Sequence, residues 1–458
     1  MAVGVVGASR AKPAVRLLAL AAGFALAMLD STAVNVAGVT VMNGLGLGLT
    51  GLTWLLNGYV LAFAALLLCA GAVAASIGQR RAYLGGLMIF VVGSAAAALA
   101  PVAAVLFGAR VLQGAGAALV LPSSLALLAS SFPEPARRAR AVALWTAVVS
   151  VATAAGPLVG GAVAGSAGWR AVFLVPVVLG IAAMVVTRTV ITPVPARPAP
   201  VGWAGHALAV VTLTLLCFAL VEGPRRGWTD PLAAGSVVGA VLGCAAFVQR
   251  ERTSRRPVLP AALFADRRVS GAAVAGFLAN CALFGRLYAV SVHLQAQAGQ
   301  SPLWTGLWLL PVTGAVVLGN LLFSRAAARF GARLSMVAGF VVAGTASLAL
   351  APVTADAPTW LLVALLAVGN LGVGLAIPGL SSVLLDASGP GHAGVAAAAL
   401  QAVRQVGALT GVAATGAAIV AMSGATAAAV VFASAGACLL LAALVTARRT
   451  RVPSMSSV

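Results

Sequence analysis

The chain has 458 residues, 62% of them hydrophobic and 8% charged, with a mean hydropathy of +1.08 and a formal net charge of +20. Soluble domains carry about 25% charged residues, so soluble enzymes and soluble nucleic-acid-binding domains are excluded and an all-α polytopic membrane protein is predicted. The basic excess is spread loop by loop as a topology signal, so no nucleic acid is expected as a partner, whereas attraction to anionic lipid headgroups is.

An α-helix needs about 20 apolar residues to cross about 30 Å of hydrocarbon. Such stretches are predicted near 15–38, 52–73, 82–100, 104–130, 140–164, 170–187, 204–221, 232–249, 270–293, 304–324, 334–352, 359–384, 394–421 and 425–447. That makes fourteen spans. Placing the N-terminus in the cytoplasm puts Arg10, Lys12, Arg16, Arg80, Arg81, Arg137, Arg138, Arg140 and Arg188 inside, with the arginines of 250–268 and of the C-terminal tail. Of the loop arginines only Arg170, Arg225 and Arg226 then fall outside, so both termini are expected in the cytoplasm.

The first span holds Asp30, in the run LDSTAVNVA at 29–37, the one acid set deep in an apolar stretch. A carboxylate at mid-membrane depth costs roughly 2.5–3.5 kcal/mol and is usually retained facing a watery cavity. Asp30 is therefore a proton or cation site by default, with a structural hydrogen bond to Ser31, Thr32 or a neighbouring helix as the alternative. The loop after the second span, GAVAASIGQRR at 71–81, is echoed by SRAAARFGAR at 324–333. Arg110, a few residues into the fourth span, reads on its own as a cation that bonds a carbonyl or snorkels. In the fifth span Pro157, with Gly156, Gly160 and Gly161, predicts a kinked and closely packed helix.

A Pro-rich segment at 191–200, two isolated spans and an Arg-rich linker at 250–268 then divide the chain. Residues 1–190 form a six-helix bundle, 191–250 a cytoplasmic linker with two additional helices, and 251–458 a second six-helix bundle. Repeated halves place a substrate site at their interface near the membrane midplane. Asn280, Arg286, Asn370, Gln401 and Arg404 are polar residues within the later spans, candidates to line that site or to bond between helices. Arg286, in the outer half of the ninth span, either faces the cavity or snorkels outward. The five cysteines lie in apolar spans without metal-ligand spacing and read as packing residues, so no metal is expected. With no nucleotide-binding motif in the chain, transport driven by bound ATP is not expected.

Together these motifs resemble a drug:proton antiporter of the fourteen-span class of the major facilitator superfamily, along nearly the whole chain. LDSTAVNVA is similar to that class's first-span motif, in which Asp30 and Asn35 stand out. RVLQGAGAA at 110–118 resembles the fourth-span motif whose arginine, here Arg110, is implicated in proton transfer, and GPLVGG at 156–161 resembles the fifth-span antiporter signature. GWRAVFLVPV at 168–177 and AGVAAAALQAVRQVGALTGVA at 393–413 match further family blocks. The resemblance makes Asp30 and Arg110 the expected proton-coupling residues and Asn35 a candidate substrate contact. It makes Gly71, Gly78, Arg80, Arg81, Gly156, Pro157, Gly160 and Gly161 the expected gating elements. One departure is that the family's loop motif carries an Asp where this chain has Ala75, and Ala328 at the matching second-half position. The gate is then expected to rest on Arg80, Arg81 and helix-terminus contacts.

What the resemblance implies is a transporter and not an enzyme, monomeric and without a cofactor, in the cytoplasmic membrane of a bacterium. It would export small amphipathic drugs or antibiotics by alternating access, driven by the proton gradient. One buried acid against up to three buried arginines predicts neutral, zwitterionic or anionic cargo, or at most monocations. A proton-coupled metabolite carrier and a non-transporting membrane sensor are the rival readings. The GPLVGG signature and the fourteen spans argue against the first, and only a disabling loss of the loop acids would favour the second.

Overall fold

The computed structural model describes residues 13–193, 196, 202–254, 265–352, 358–388, 393–422 and 424–450. Parts of the Pro-rich segment and of the Arg-rich linker, with Arg10, Lys12, Arg197, Arg255, Arg256 and Arg451, lie outside the described residues.

Among the described residues, fourteen helices are long and apolar enough to cross a membrane. The first six are α1 Pro13–Gly44, α2 Leu49–Ile77, α3 Gln79–Ala98, α4 Ala103–Ser131, α5 Pro135–Ala167 and α6 Trp169–Val190. Two more, α7 Trp203–Arg226 and α8 Pro231–Thr253, precede α9 Arg267–Val292, which ends in a π-turn at His293–Gln297. The last are α10 Pro302–Phe330, α11 Ala332–Leu350, α12 Thr359–Ser388, α13 Ala393–Ala421 and α14 Gly424–Arg449. Several run past the apolar stretches that announce them, α1 to Gly44 and α8 to Thr253, because hydropathy measures the hydrocarbon layer while the helix continues beyond it.

The packing repeats. In the first six helices α1 lies on α5 and α6, α4 on α2 and α3, and α3 on α6; in the last six α9 lies on α13 and α14, α12 on α10 and α11, and α11 on α14. The two bundles meet along two seams, α5 against α10 and α2 against α13, and α7, paired with α8, covers the second seam by lying on both α2 and α13. Glu222 in the last turn of α7 fixes that pair to the first bundle. Its carboxylate accepts the Trp54 indole N–H of α2 at 2.9 Å and the guanidinium N–H groups of Arg225 and Arg226.

Small residues set the distances, as they do wherever helices pack in lipid. A methyl group on Gly86 would stand 2.8 Å from the Gly116 carbonyl oxygen where α3 crosses α4, and one on Gly339 would stand 2.5 Å from that of Gly372 where α11 crosses α12. The echoed loops occupy matching places: Gly78, at φ 92°, turns α2 into α3 and Gly331, at φ 82°, turns α10 into α11, both in the left-handed region that a side chain would strain. Two residues on, Arg80 donates to the Arg188 carbonyl in the last turn of α6 at 2.8 Å, and Arg333 donates to the Ala447 carbonyl in the last turn of α14. A cation on carbonyls at the end of a helix also complements the helix dipole. Arg81 is exposed and a side chain at Gly71 would meet nothing within 4 Å, so neither is packed in this state.

Candidate functional site

Asp30 lies in the middle of α1 with its side chain fully enclosed. Its Oδ2 accepts from Arg110 Nη1 of α4 at 2.6 Å, and its Oδ1 accepts from Gln113 Nε2 at 3.3 Å. Arg110 and Gln113, three residues apart, share one face of α4, and Arg110 Nη1 also donates to Gln113 Oε1 at 2.8 Å. Arg110 Nε donates to the Leu55 carbonyl of α2 at 3.1 Å, and Gln113 Nε2 to Ser94 Oγ of α3 at 2.8 Å. The Tyr59 ring sits 4.7 Å from the guanidinium carbon, and its hydroxyl donates to the Ala27 carbonyl. Four helices thus converge on one carboxylate. Arg110 does not snorkel; it bonds a carbonyl and the buried acid together. Two charges removed from water are tolerable only when paired and hydrogen-bonded, as here, and removing one partner of such a pair costs about 3–5 kcal/mol.

The GPLVGG segment is a junction of three helices. Pro157 lacks an N–H, so the Thr153 carbonyl four residues back loses its helical donor; the Thr32 hydroxyl of α1 donates to it at 3.0 Å. The neighbouring Ala154 carbonyl accepts from the Thr313 hydroxyl of α10 at 2.9 Å. Gly156 and Gly160 face α1 at Thr32 and Ala33, whereas Gly161 faces the Pro302 carbonyl of α10. Two sequence motifs, LDSTAVNVA and GPLVGG, therefore touch through Thr32.

Asn35 joins the two bundles, its Oδ1 accepting from Ser291 Oγ of α9 at 2.7 Å. Gln295 donates to the Val36 carbonyl at 2.8 Å, and Thr53 and Tyr288 share a 3.2 Å hydroxyl contact. These bonds lie toward the helix ends opposite the arginine-rich loops.

Arg286 is 1% exposed and points into the second bundle, so the outward-snorkelling alternative is set aside. Its Nε donates to the Ala282 carbonyl at 3.2 Å, Nη1 to Ser347 Oγ of α11 at 2.6 Å, and Nη2 to Asn370 Oδ1 of α12 at 3.1 Å. Asn370 in turn donates to the Val312 carbonyl of α10 at 3.0 Å. Arg286 and Asn370 line a cavity of about 10 Å3 with Leu287, Leu309 and Leu366, room for about one water. Asn280 donates to the Gly276 carbonyl of its own helix at 3.0 Å. Arg404, half-buried on α13, reaches Gln401 Oε1 at 3.4 Å and rests its chain against Gly276. The structure thus joins Asp30 to Arg110, Arg286 to Asn370 and Arg404 to Gln401, and leaves Asn280 in a separate place. Gln113, Tyr59, Ser94, Ser291 and Ser347 were not singled out by sequence. For Gln113 a signal existed, its place three residues beyond Arg110.

The chain matches the Major Facilitator Superfamily model over residues 20–412 and again over 272–456. It is 42% identical over 402 residues to the methylenomycin A resistance protein of Streptomyces coelicolor, covering 88% of this chain and 85% of that one. It is 33% identical over 409 residues to the tetracenomycin C resistance and export protein of Streptomyces glaucescens, covering 89% and 76%. A crystal structure of the peptide transporter POT superposes with a TM-score of 0.70 at 17% identity, covering 96% and 95% of the two chains, a likeness of fold.

Proposed function

The chain belongs to the major facilitator superfamily, and from that premise we propose that it exports small amphipathic antibiotics or drugs across a bacterial cytoplasmic membrane in exchange for protons. It is a multi-pass membrane transporter and not an enzyme. Relatives bearing the names of methylenomycin A and tetracenomycin C resistance support a small-molecule cargo of that kind.

The observation that carries the proton-coupled reading is the enclosed Asp30–Arg110–Gln113 network. With the arginine-rich loops in the cytoplasm, the Asn35–Ser291, Val36–Gln295 and Thr53–Tyr288 contacts close the outer side. Asp30 has no solvent exposure in this arrangement, so it exchanges its proton only after the helices rearrange. Protonation removes the anion that Arg110 and Gln113 hold. The network then loses its ionic tie between α1 and α4, and the bundles rock about the α5–α10 seam to expose the site alternately to each side. One charge moved through 100 mV supplies about 2.3 kcal/mol, a concentration ratio of several tens. The transporter acts as a monomer among anionic lipids, with the proton gradient as its drive and no cofactor.

The test is a growth-inhibition panel of chemically varied antibiotics in an efflux-deficient bacterium carrying the intact chain or Asp30→Asn at matched membrane levels. Resistance that vanishes with Asp30→Asn is the expected result. Resistance that persists removes Asp30 from the coupling, and resistance to nothing overturns drug export.

A further inference from the structure

Arg286 is the anomaly of the second bundle. Every partner it has among the described residues is neutral: a carbonyl, a hydroxyl and an amide oxygen. Arg110, equally buried, has Asp30. An ion placed inside a membrane bundle without a counter-ion is expensive and marks a functional position, since a neutral side chain of similar length would fill the same space without that penalty.

The hydrogen-bond inventory shows what is left over. A guanidinium has five N–H groups in a planar fork. Nε is used by Ala282, one N–H of Nη1 by Ser347 and one of Nη2 by Asn370. Each terminal nitrogen keeps one N–H, two donors left for the oxygens of an anionic group. Gly369 makes room for this head, since a methyl group there would stand 2.9 Å from Nη1. Beside it lies the small cavity walled by leucines of α9, α10 and α12, an apolar lining for the rest of an amphiphile once those helices part.

We infer that Arg286, oriented by Ser347 and Asn370, is the subsite that binds the carboxylate of an amphipathic monoanionic cargo. This rests on the export reading above for its biological meaning and narrows the cargo to acids. Asn370 positions the fork and, by donating to Val312, ties it to α10, so that capture of an acid is felt by the helix that forms the α5 seam.

The experiment measures binding and not transport. The purified full chain in detergent is titrated with naphthalene-1-acetate and with its methyl ester, and the dissociation constants are read from the shift in unfolding temperature. The acid is expected to bind at least ten-fold more tightly than the ester. Arg286→Gln is expected to erase that preference, Arg286→Lys to reduce it to about three-fold by keeping the charge and losing the fork, and Arg329→Gln, a cation lost elsewhere, to leave it unchanged. Acid and ester binding alike, neither binding, or a preference that survives Arg286→Gln overturns the proposal. If Arg286→Gln does not fold, an undiminished ten-fold preference in Arg286→Lys overturns it equally. A chain that prefers the acid through Arg286 yet confers no resistance breaks the export reading alone.

Discussion

In the first bundle the serine of the third helix, Ser94, receives Gln113, and through it an arginine that is held by an acid. In the second, the serine at the same point of the repeat, Ser347, receives an arginine directly, and among the described residues no acid pairs with it. The scaffolds around them agree closely. Gly86 and Gly116 correspond to Gly339 and Gly372, Gly78 to Gly331, and Arg80 on its α6 carbonyl to Arg333 on its α14 carbonyl. One architecture thus carries an internally neutral polar centre in one half and a positive one in the other. Backbone packing is set by glycines that the halves share, and the sign of the buried charge by a few side chains that they do not.

The largest effect comes from removing one charge from each centre. Asp30→Asn strands Arg110 and costs about 3–5 kcal/mol, so the unfolding temperature in detergent falls clearly. Arg286→Gln strands no charge, only the neutral oxygens of Ser347 and Asn370, and is expected to lower that temperature by much less. Equal losses in the two variants would erase the distinction between the halves.

The seams differ next. The α5–α10 seam closes on Gly161 against the Pro302 carbonyl, whereas the matching position of α13 is Val412, packed with Leu52 and Tyr288. Gly161→Val overpacks by about 1–3 kcal/mol and opens this seam. Crosslinking between Gly165→Cys and Leu303→Cys in a cysteine-free background is expected to drop several-fold, while Val412→Ala leaves that crosslink as it was.

A smaller effect sits at Pro157 of α5, whose matching position in α13 is Ala408. Thr32→Val deprives the Thr153 carbonyl of its donor, about 1 kcal/mol, and Pro157→Ala restores the helical donor. The double variant is therefore expected to recover part of the loss in unfolding free energy, and strict additivity would refute the account.

The smallest concerns the helix that opens the second half, where Asp266 caps α9, accepting the Arg268 backbone N–H at 2.7 Å. Burial alone would raise the Asp266 carboxyl, but the Arg268 backbone N–H and then its guanidinium outweigh it and hold the carboxyl below its ordinary value. A depressed folded-state value stabilises above the unfolded one, about pH 4, and the gain fades as pH falls toward the folded value. Asp266→Asn should lose that slight acid-side slope in an unfolding series.

Much of this was legible before any coordinates. Composition and apolar runs gave fourteen membrane-crossing helices, because hydrocarbon thickness fixes span length. Asp30 and Arg110 stood out because charge is rare in such spans. The rest of the centre was not legible: Ser94, Tyr59 and Ser347 are neutral residues that occur on any helix face, and only tertiary approach selects them. Asn280 looked equal to Asn370 in sequence. In the folded chain Asn280 bonds its own helix, whereas Asn370 on α12 joins Arg286 of α9 to the Val312 carbonyl of α10.

The adjacent glycines of α5 have a consequence for biogenesis. Gly160 meets α1, which is already in the membrane when α5 is made, but Gly161 meets α10, roughly 140 residues further along the chain. At about 5–20 residues per second, the ribosome takes roughly 7–28 s to reach that partner. Through this interval the Gly161 stripe of α5 faces lipid or a chaperone, and the nascent first bundle waits with its seam undressed until its own second half arrives.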